Sequence, residues 1–367
     1  MAKQRIALWD NARLILITLV VVGHMLTTIR TDGTLPFGLY TLIYLFHMPA
    51  MILLAGVFSR ADGSPKTMRG IAGLAVTWVL WEVIWVGLRG LLGRGIISST
   101  FLVNASWSLW FILSLVTMKI VLPYIARFKY PVTLSIVIAV LAGFNPAIGT
   151  EFSAARTLAF LPFFVIGWAA KDRGWITRAR FLAPTAAKKL TAWAVLAVTL
   201  AALLIPGLKA FWRVDKWILR NKPYAEVLEG APIGAPGGPP LLSYEQGWPA
   251  LLVAMALIFV LSALALLLTW ALLVVAPRAE TRFTVWGQRT MYVYLLHGPV
   301  IQALRQYGFI DAVGQWGVAG VFVLIALGIA LTAALSTAAV TRATKAIVEP
   351  RTDWLRREPA RREPARS

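Results

Sequence analysis

From Ala250 to Ala276 the chain runs for 27 positions without one charged side chain, and Val318 to Leu335 does so for 18. About 20 apolar residues in helical form cross the 30 Å hydrocarbon layer of a bilayer. These runs are rich in Leu and Ala and do not alternate with period two, so they predict helices and not barrel strands. Segments of this kind are expected at roughly 9–29, 39–58, 71–92, 107–126, 130–144, 154–170, 190–208, 249–276, 286–305 and 315–340. The first is followed directly by another span and lacks a small-residue cleavage site, so it reads as retained and not as a signal peptide. With 59% apolar and 14% charged residues, against about a quarter charged in soluble domains, the chain lacks the polar surface to dissolve. A soluble enzyme, a disordered chain and a nucleic-acid-binding module are excluded. The expected fold is an all-α polytopic membrane protein of about ten transmembrane helices in one bundle.

The net charge of +20 belongs mainly to the segments between spans. An even number of spans puts both termini on one side, and 25 of the 36 Lys and Arg fall there. Short loops rich in Lys and Arg mark the cytoplasmic side, so a multi-pass plasma-membrane protein with both termini cytoplasmic is expected. The membrane domain is drawn over 1–349. Its one long extracytoplasmic loop, 209–248, reads as an interfacial helix with a flexible Gly/Pro connector (GAPIGAPGGPP), or as a lid over a substrate. Residues 350–367, with the repeat RREPARREPAR, read as a disordered basic tail. The chain has no Cys, which removes disulfides, thiolate metal sites and thiol nucleophiles.

Polar residues inside the spans are costly and normally face a bundle interior or a cavity. In the first span, eleven residues from Arg13 to His24 make three helical turns plus about 20°, with an axial separation of about 16 Å. Asp10 falls within about 40° of His24 on the same wheel. One stripe of a Leu/Val/Ile helix therefore carries an acid, a guanidinium and an imidazole. Asp10 and Arg13 either pair at the interface or act with His24, and a buried imidazole that stays neutral is suited to act as a general base.

The spacing Arg13-x10-His24 resembles the first helix of the acyltransferase-3 family of integral membrane acyltransferases, and more narrowly its fucose 4-O-acetylase-like branch. Phe46-His47-Met48-Pro49 followed by Leu54-Ala55-Gly56-Val57-Phe58 resembles that branch's FHMP…SGxF segment. Trp110-Phe111-Ile112-Leu113 resembles its WFL segment, Leu161 to Gly167 its LPFFxxG segment, and Tyr294 to His297 its late Tyr/His helix. The resemblance runs in order from about 9 to 340. It implies acyl transfer from cytoplasmic acyl-CoA, acetyl-CoA or another, as donor substrate with no tightly bound cofactor. The implied acceptor is a hydroxyl of a carbohydrate or glycolipid.

Between the second and third spans, Ser64 is a good N-cap and Pro65 suits the first helical position. Lys66 and Arg69 follow in the first turn on one face. Two cations there oppose the macrodipole unless an anion binds between them; they read either as ordinary cytoplasmic-side charge or as an anion site, and the family resemblance makes this loop the expected site for the CoA phosphates. Where the family has Arg-x-x-Arg, this chain has Lys66, which keeps the charge but loses bidentate geometry.

The remaining intramembrane polar groups carry paired readings. His47, two residues before Pro49, either hydrogen-bonds a carbonyl freed by the proline or contacts the substrate or thioester. Glu82 lies deep in the third span and calls for a partner such as Arg13, His47 or His297. Arg156 is either an interfacial anchor beside Glu151 or a contact for the acceptor. Tyr294 and His297 share one helical face. Trp107 and Trp110 either pack at the interface or line a sugar slot. No close His pair suggests zinc, and no metal is expected. In the mechanism so drawn, His24 takes the proton of the acceptor hydroxyl, which attacks the thioester, while Asp10 and Arg13 fix the helix entry and the local field. The alternative from another class is a secondary transporter or lipid-linked glycan flippase, which ten helices and midplane ionisable groups also fit.

Overall fold

The computed structural model describes residues 6–93 and 100–352; residues 353–367, most of the expected basic tail, lie outside the described residues. Among them, ten helices fall at the ten expected places: α1 (Ala7–Leu26), α2 (Thr34–Val57), α3 (Pro65–Leu91), α4 (Trp110–Ile125), α5 (Pro131–Phe144), α6 (Ala154–Asp172), α7 (Ala186–Leu203), α8 (Trp248–Val275), α9 (Thr290–Gln306) and α10 (Val318–Leu335). Seven of the described helices are long and apolar enough to cross a membrane. The other three of the ten, α4, α5 and α9, are short. α9 is also the polar one: its Tyr294, His297 and Gly298 are buried against other helices, so it answers to protein neighbours and need not be apolar to lipid.

Several boundaries move for local reasons. α3 begins six residues before the expected 71, because Ser64 caps it, accepting from the Thr67 N–H at 3.3 Å, with Pro65 in the first turn. α7 spans 186–203 where 190–208 was expected. Thr185 caps its start, and Pro206 with Gly207 (φ 85°) turns the chain away beyond its end. α10 stops at Leu335, and a further helix, α11 (Ala338–Val348), starts from the Thr337 cap. α11 exposes Arg342 and Lys345, buries Val348 and is tied to α3 through Trp81 Nε1–H donating to the Ile347 carbonyl at 2.8 Å. Its basic residues and its buried Val348 make it a short amphipathic helix.

α2 is the most enclosed of the long apolar helices, with 72% of its most apolar stretch buried against 17% for α7. Its tight partner is α6. A Cβ on Gly56 would run into the Phe164 carbonyl, and a Cβ on Gly167 into the Leu53 carbonyl. The two backbones thus touch reciprocally through paired glycines, the close approach that stabilises helix pairs where lipid supplies no hydrophobic drive. At the face where α1 begins, Asn11 is buried. Its Nδ2 donates to the carbonyls of Pro277 (2.9 Å) and Ala279 (3.0 Å), and its Oδ1 accepts from Thr284 Oγ1 (2.8 Å). This pins the turn before α9 against α1, where Gly287 lies on the Asp10 carbonyl.

At the opposite face, residues 204–247 fold into a compact cap, which corrects the expected flexible connector. Short helices at Leu208–Phe211, Val214–Trp217 and Tyr224–Gly230 bury Trp217 and Leu228 completely. The Gly/Pro stretch is held by antiparallel bridges from Ile233 to Trp212 and to Leu242. Buried Asp215 accepts from Arg213 Nε and Nη2, both at 2.8 Å, and pairs with Arg30 Nε at 3.3 Å, which joins the cap to the α1–α2 turn. Burial pushes the Asp215 carboxyl up, but the hydrogen bonds and charge of Arg213 and Arg30 outweigh it and hold it below its ordinary value.

Because the Gly167 contact is with backbone, it has no flexible side chain to give way. Gly167→Ala is expected to lower stability by about 1–3 kcal/mol, read as a lower thermal unfolding midpoint in detergent, while Ala substitution of the open Gly73 on α3, with nothing near its Cβ, leaves the midpoint unmoved.

Candidate active site

Three of the helices bring their imidazoles into one interior cluster. His24 occupies the last turn of α1. Its ring centroid lies 5.3 Å from that of His297 on α9, 4.5 Å from Trp107 and 6.0 Å from Tyr44 on α2. His47, also on α2, reaches the cluster through Tyr44, 4.8 Å away. His47 and His297 are buried at 1% and 0% exposure. Gly23 makes the approach of Tyr44 feasible, since a Cβ there would meet the Tyr44 and Ile43 side chains at 3.0 and 3.1 Å.

The hydrogen bonds assign the protons. His47 Nδ1 lies 2.7 Å from the Ile43 carbonyl and His297 Nδ1 lies 2.9 Å from the Val293 carbonyl. A carbonyl only accepts, so each Nδ1 carries the hydrogen and each neutral ring keeps its lone pair on Nε2. The Nε2 of His297 is buried with no hydrogen-bond partner among the described residues. For His24 the tautomer follows the Tyr44 hydroxyl. The Thr27 hydroxyl donates to the Gly23 carbonyl (3.0 Å), and the Tyr44 oxygen lies 3.3 Å from Thr27 Oγ1 and 3.1 Å from His24 Nδ1. When the Tyr44 hydrogen goes to Thr27, His24 donates from Nδ1 to the Tyr44 oxygen and keeps its lone pair on Nε2.

Arg305, at the C-terminal end of α9, donates from Nη2 to the His24 backbone carbonyl and lies over the Trp107 ring at 5.7 Å. Trp107 holds a left-handed backbone (φ 44°), a conformation that costs about 1–3 kcal/mol in a non-glycine residue. Its ring is clamped between His24 and Trp85 (5.7 Å) over Gly298, where a Cβ would collide with both indoles. Trp107 also walls a cavity of about 300 Å³ with Trp85, Leu88, Arg89 and Gln302. The indole thus stands between the imidazole cluster and that cavity.

The other expected site residues distribute as follows. Tyr294 joins the cluster 6.2 Å from His297, and its hydroxyl donates to the Ser108 carbonyl. Arg156 is turned inward over Trp110 at 4.7 Å, with Nε donating to the Leu219 carbonyl of the cap at 3.3 Å; Glu151 is exposed, so the expected anchor pair is not formed. Glu82, 1% exposed, accepts from the Ser106 N–H at 2.8 Å. This corrects the expectation of a cationic or imidazole partner: a backbone amide of the segment before Trp107 takes that place, and Arg89 reinforces it by donating to Ser106 Oγ at 2.9 Å. Asp10 and Arg13 pair at 3.5 Å, with Arg13 over the Phe58 ring at 4.1 Å. They lie on the stripe of His24 but three turns below it, and the fold does not bring them to the imidazoles. Lys66 and Arg69 are exposed at the start of α3. Arg69 Nε folds back on the Pro65 carbonyl (3.1 Å). Beside them Asp62 accepts from Thr67 Oγ1 (2.7 Å), the Ser64 N–H (3.1 Å) and Arg60 Nε (2.7 Å), and those hydrogen bonds, Thr67's first, hold its carboxyl well below the usual carboxylate range.

Tyr44 and Arg305 were missed by sequence reading. A signal for the cluster was present: His47-x-Pro49 and His297-x-Pro299 are the same short motif on two helices, and both histidines turn to the carbonyl four residues back. Tyr44→Phe removes the hydrogen-bond partner of His24 Nδ1. One such hydrogen bond is worth about 1 kcal/mol, so kcat is expected to fall roughly fivefold with KM little changed, in steady-state assays of the purified variant.

A family model described as an acyltransferase domain matches residues 6–339. Nodulation protein NolL of Mesorhizobium japonicum is 30% identical over 118 residues, which cover 28% of this chain. The matched stretch spans 32% of the length of that relative. No solved structure matches the chain. The family match covers every helix that contributes to the imidazole cluster and decides against the transporter and flippase reading. This chain belongs to the acyltransferase-3 family of membrane acyltransferases.

Proposed function

We propose that the protein is an O-acyltransferase that moves an acetyl or other short acyl group from acyl-CoA to a hydroxyl of a carbohydrate or glycoconjugate in the cell envelope. The observation that carries this reading is the imidazole cluster: His24, oriented by Tyr44, offers its Nε2 lone pair in a buried site walled by His297 and Trp107. His24 Nε2 takes the proton of the acceptor hydroxyl as its oxygen attacks the thioester carbonyl. The tetrahedral intermediate collapses with cleavage of the carbon–sulfur bond, and the departing thiolate recovers the proton from His24. Arg305, held on the His24 carbonyl, supplies positive potential beside the developing oxyanion, the kind of fixed charge that is worth most where water is excluded.

The cavity behind Trp107 suits an acceptor glycan, because indole faces stack on sugar C–H surfaces and Arg89 and Gln302 offer hydrogen bonds. Trp110, Arg156, His47, Glu82, Tyr294 and His297 then act as acceptor or thioester contacts, or hold those contacts in place. Lys66 and Arg69 are the proposed seat of the CoA phosphates, supported by two exposed cations on a capped helix start. The excess of basic residues at the face where α1 begins supports a cytoplasmic side for that face and both termini, in an enzyme of the plasma membrane. Asp10 and Arg13 fix the entry of α1 at that face.

Two measurements test the reading. His24→Ala is expected to lower acetyl transfer from labelled acetyl-CoA by about 10²–10⁴-fold in protein that still purifies as a folded monodisperse sample; a near-normal rate ends the assignment of His24. The double variant Lys66→Glu/Arg69→Glu is expected to raise KM for acyl-CoA several-fold, more strongly at low ionic strength, with kcat preserved. A KM that does not move takes the CoA phosphates away from this loop.

A further inference from the structure

On the far side of α6 from the imidazole cluster, α5, α6 and α8 enclose a crevice of about 200 Å³. Its walls are apolar, Val140, Phe163, Ile166 and Leu266 among them, and the cap closes one end with Arg220 and Tyr224. The flanking surfaces of α5 and α8 leave Leu141, Phe259 and Val260 exposed, so the crevice lies beside the surface these helices turn to hydrocarbon.

Arg220 does not fit a merely structural role. It is 7% exposed, and its guanidinium lies over the rings of Phe160 and Phe163, 5.6 Å from each. The other cations of the cap have partners: Arg213, with Arg30 of the α1–α2 turn, pairs with Asp215, Lys222 pairs with Glu226 at 3.1 Å, and Lys209 and Lys216 donate to the carbonyls of Thr31 and Gly230. Among the described residues Arg220 has neither a carboxylate nor a hydrogen-bond partner. Its backbone is also held in the left-handed region (φ 50°), a cost of about 1–3 kcal/mol. Burial lowers its pKa to about 10, so it remains a cation at neutral pH. A buried cation without a counter-charge is strongly unfavourable, and a planar fork of donors matches a phosphate.

We propose that this crevice binds a phosphate-headed lipid, with the phosphate on Arg220 and a hydrocarbon chain along α5, α6 and α8. The site is separate from the transfer chemistry but adjoins it. Phe160, under the Arg220 guanidinium, stacks on Trp110 at 5.8 Å, and the Leu219 carbonyl next to Arg220 holds Arg156. A bound headgroup therefore stands one aromatic layer from Trp110. This inference does not rest on the identity of the base or the acceptor.

The test is native mass spectrometry of the purified full chain titrated with dioleoyl phosphatidic acid, with dioleoylglycerol as the uncharged control and inorganic phosphate as competitor. Phosphatidic acid is expected to bind at least tenfold more tightly than dioleoylglycerol, as charge-assisted hydrogen bonds to a phosphate require. Arg220→Gln is expected to abolish that preference, and Lys216→Gln, a cap cation outside the crevice, to leave it unchanged. Ser262→Trp, which fills the crevice from α8 while retaining Arg220, is expected to weaken phosphatidic acid binding at an unchanged unfolding midpoint, so the result does not depend on the folding of the arginine variant. Equal binding of the two lipids, or insensitivity to both Arg220→Gln and Ser262→Trp, overturns the proposal. Equally effective displacement by inorganic phosphate at lipid-like concentrations overturns the lipid occupant in favour of a free anion.

Discussion

Hydrocarbon offers no hydrogen-bond partner, so every polar group that a membrane bundle contains must find one inside the protein. This constraint arranges the molecule. His47 and His297 turn back to their own helix carbonyls, Glu82 takes the Ser106 amide, and Asn11 gathers two carbonyls and a hydroxyl. Each bond that satisfies a buried group also fixes its direction, and for the imidazoles that leaves Nε2 as the free position. Polar satisfaction and catalytic orientation are here the same set of contacts.

The cluster depends on close backbone approach, and glycine provides it at each critical place. Gly56 and Gly167 let α2 and α6 touch, Gly23 admits Tyr44, and Gly298 admits the indoles of Trp85 and Trp107. The cap is coupled to the same core. Asp215 holds Arg30, Arg30 lies over Tyr40 at 5.6 Å, and Tyr40 stacks on Tyr44 at 4.0 Å. A continuous set of contacts thus runs from the cap ion cluster to the hydrogen-bond partner of His24.

Much of the architecture was legible in the chain. The apolar runs located all ten helices, and Ser64-Pro65 marked the start of α3 through its cap chemistry. Two of the motif glycines, Gly56 and Gly167, proved to be the backbone contact of α2 with α6. The stripe of Asp10, Arg13 and His24 was correct as helix geometry, but a shared face does not bring residues 16 Å apart to one site. The Gly/Pro run looks like a flexible connector in isolation; its order comes from the bridges of Ile233 to Trp212 and Leu242, the Trp217 Nε1–H donating to the Ala231 carbonyl, and the pairing of Asp215 with Arg30, far away in sequence.

By itself, then, the sequence determined the class of the protein, the position of its helices and the identity of the buried histidines, because apolar length, helical period and capping are local properties of the chain. Only the tertiary structure decided which histidines meet, that Glu82 binds an amide, that Tyr44 orients His24, and that Arg220 stands unpaired over two phenylalanines. Those are pairings between residues far apart along the chain, and in hydrocarbon their partners are chosen by how the helices pack.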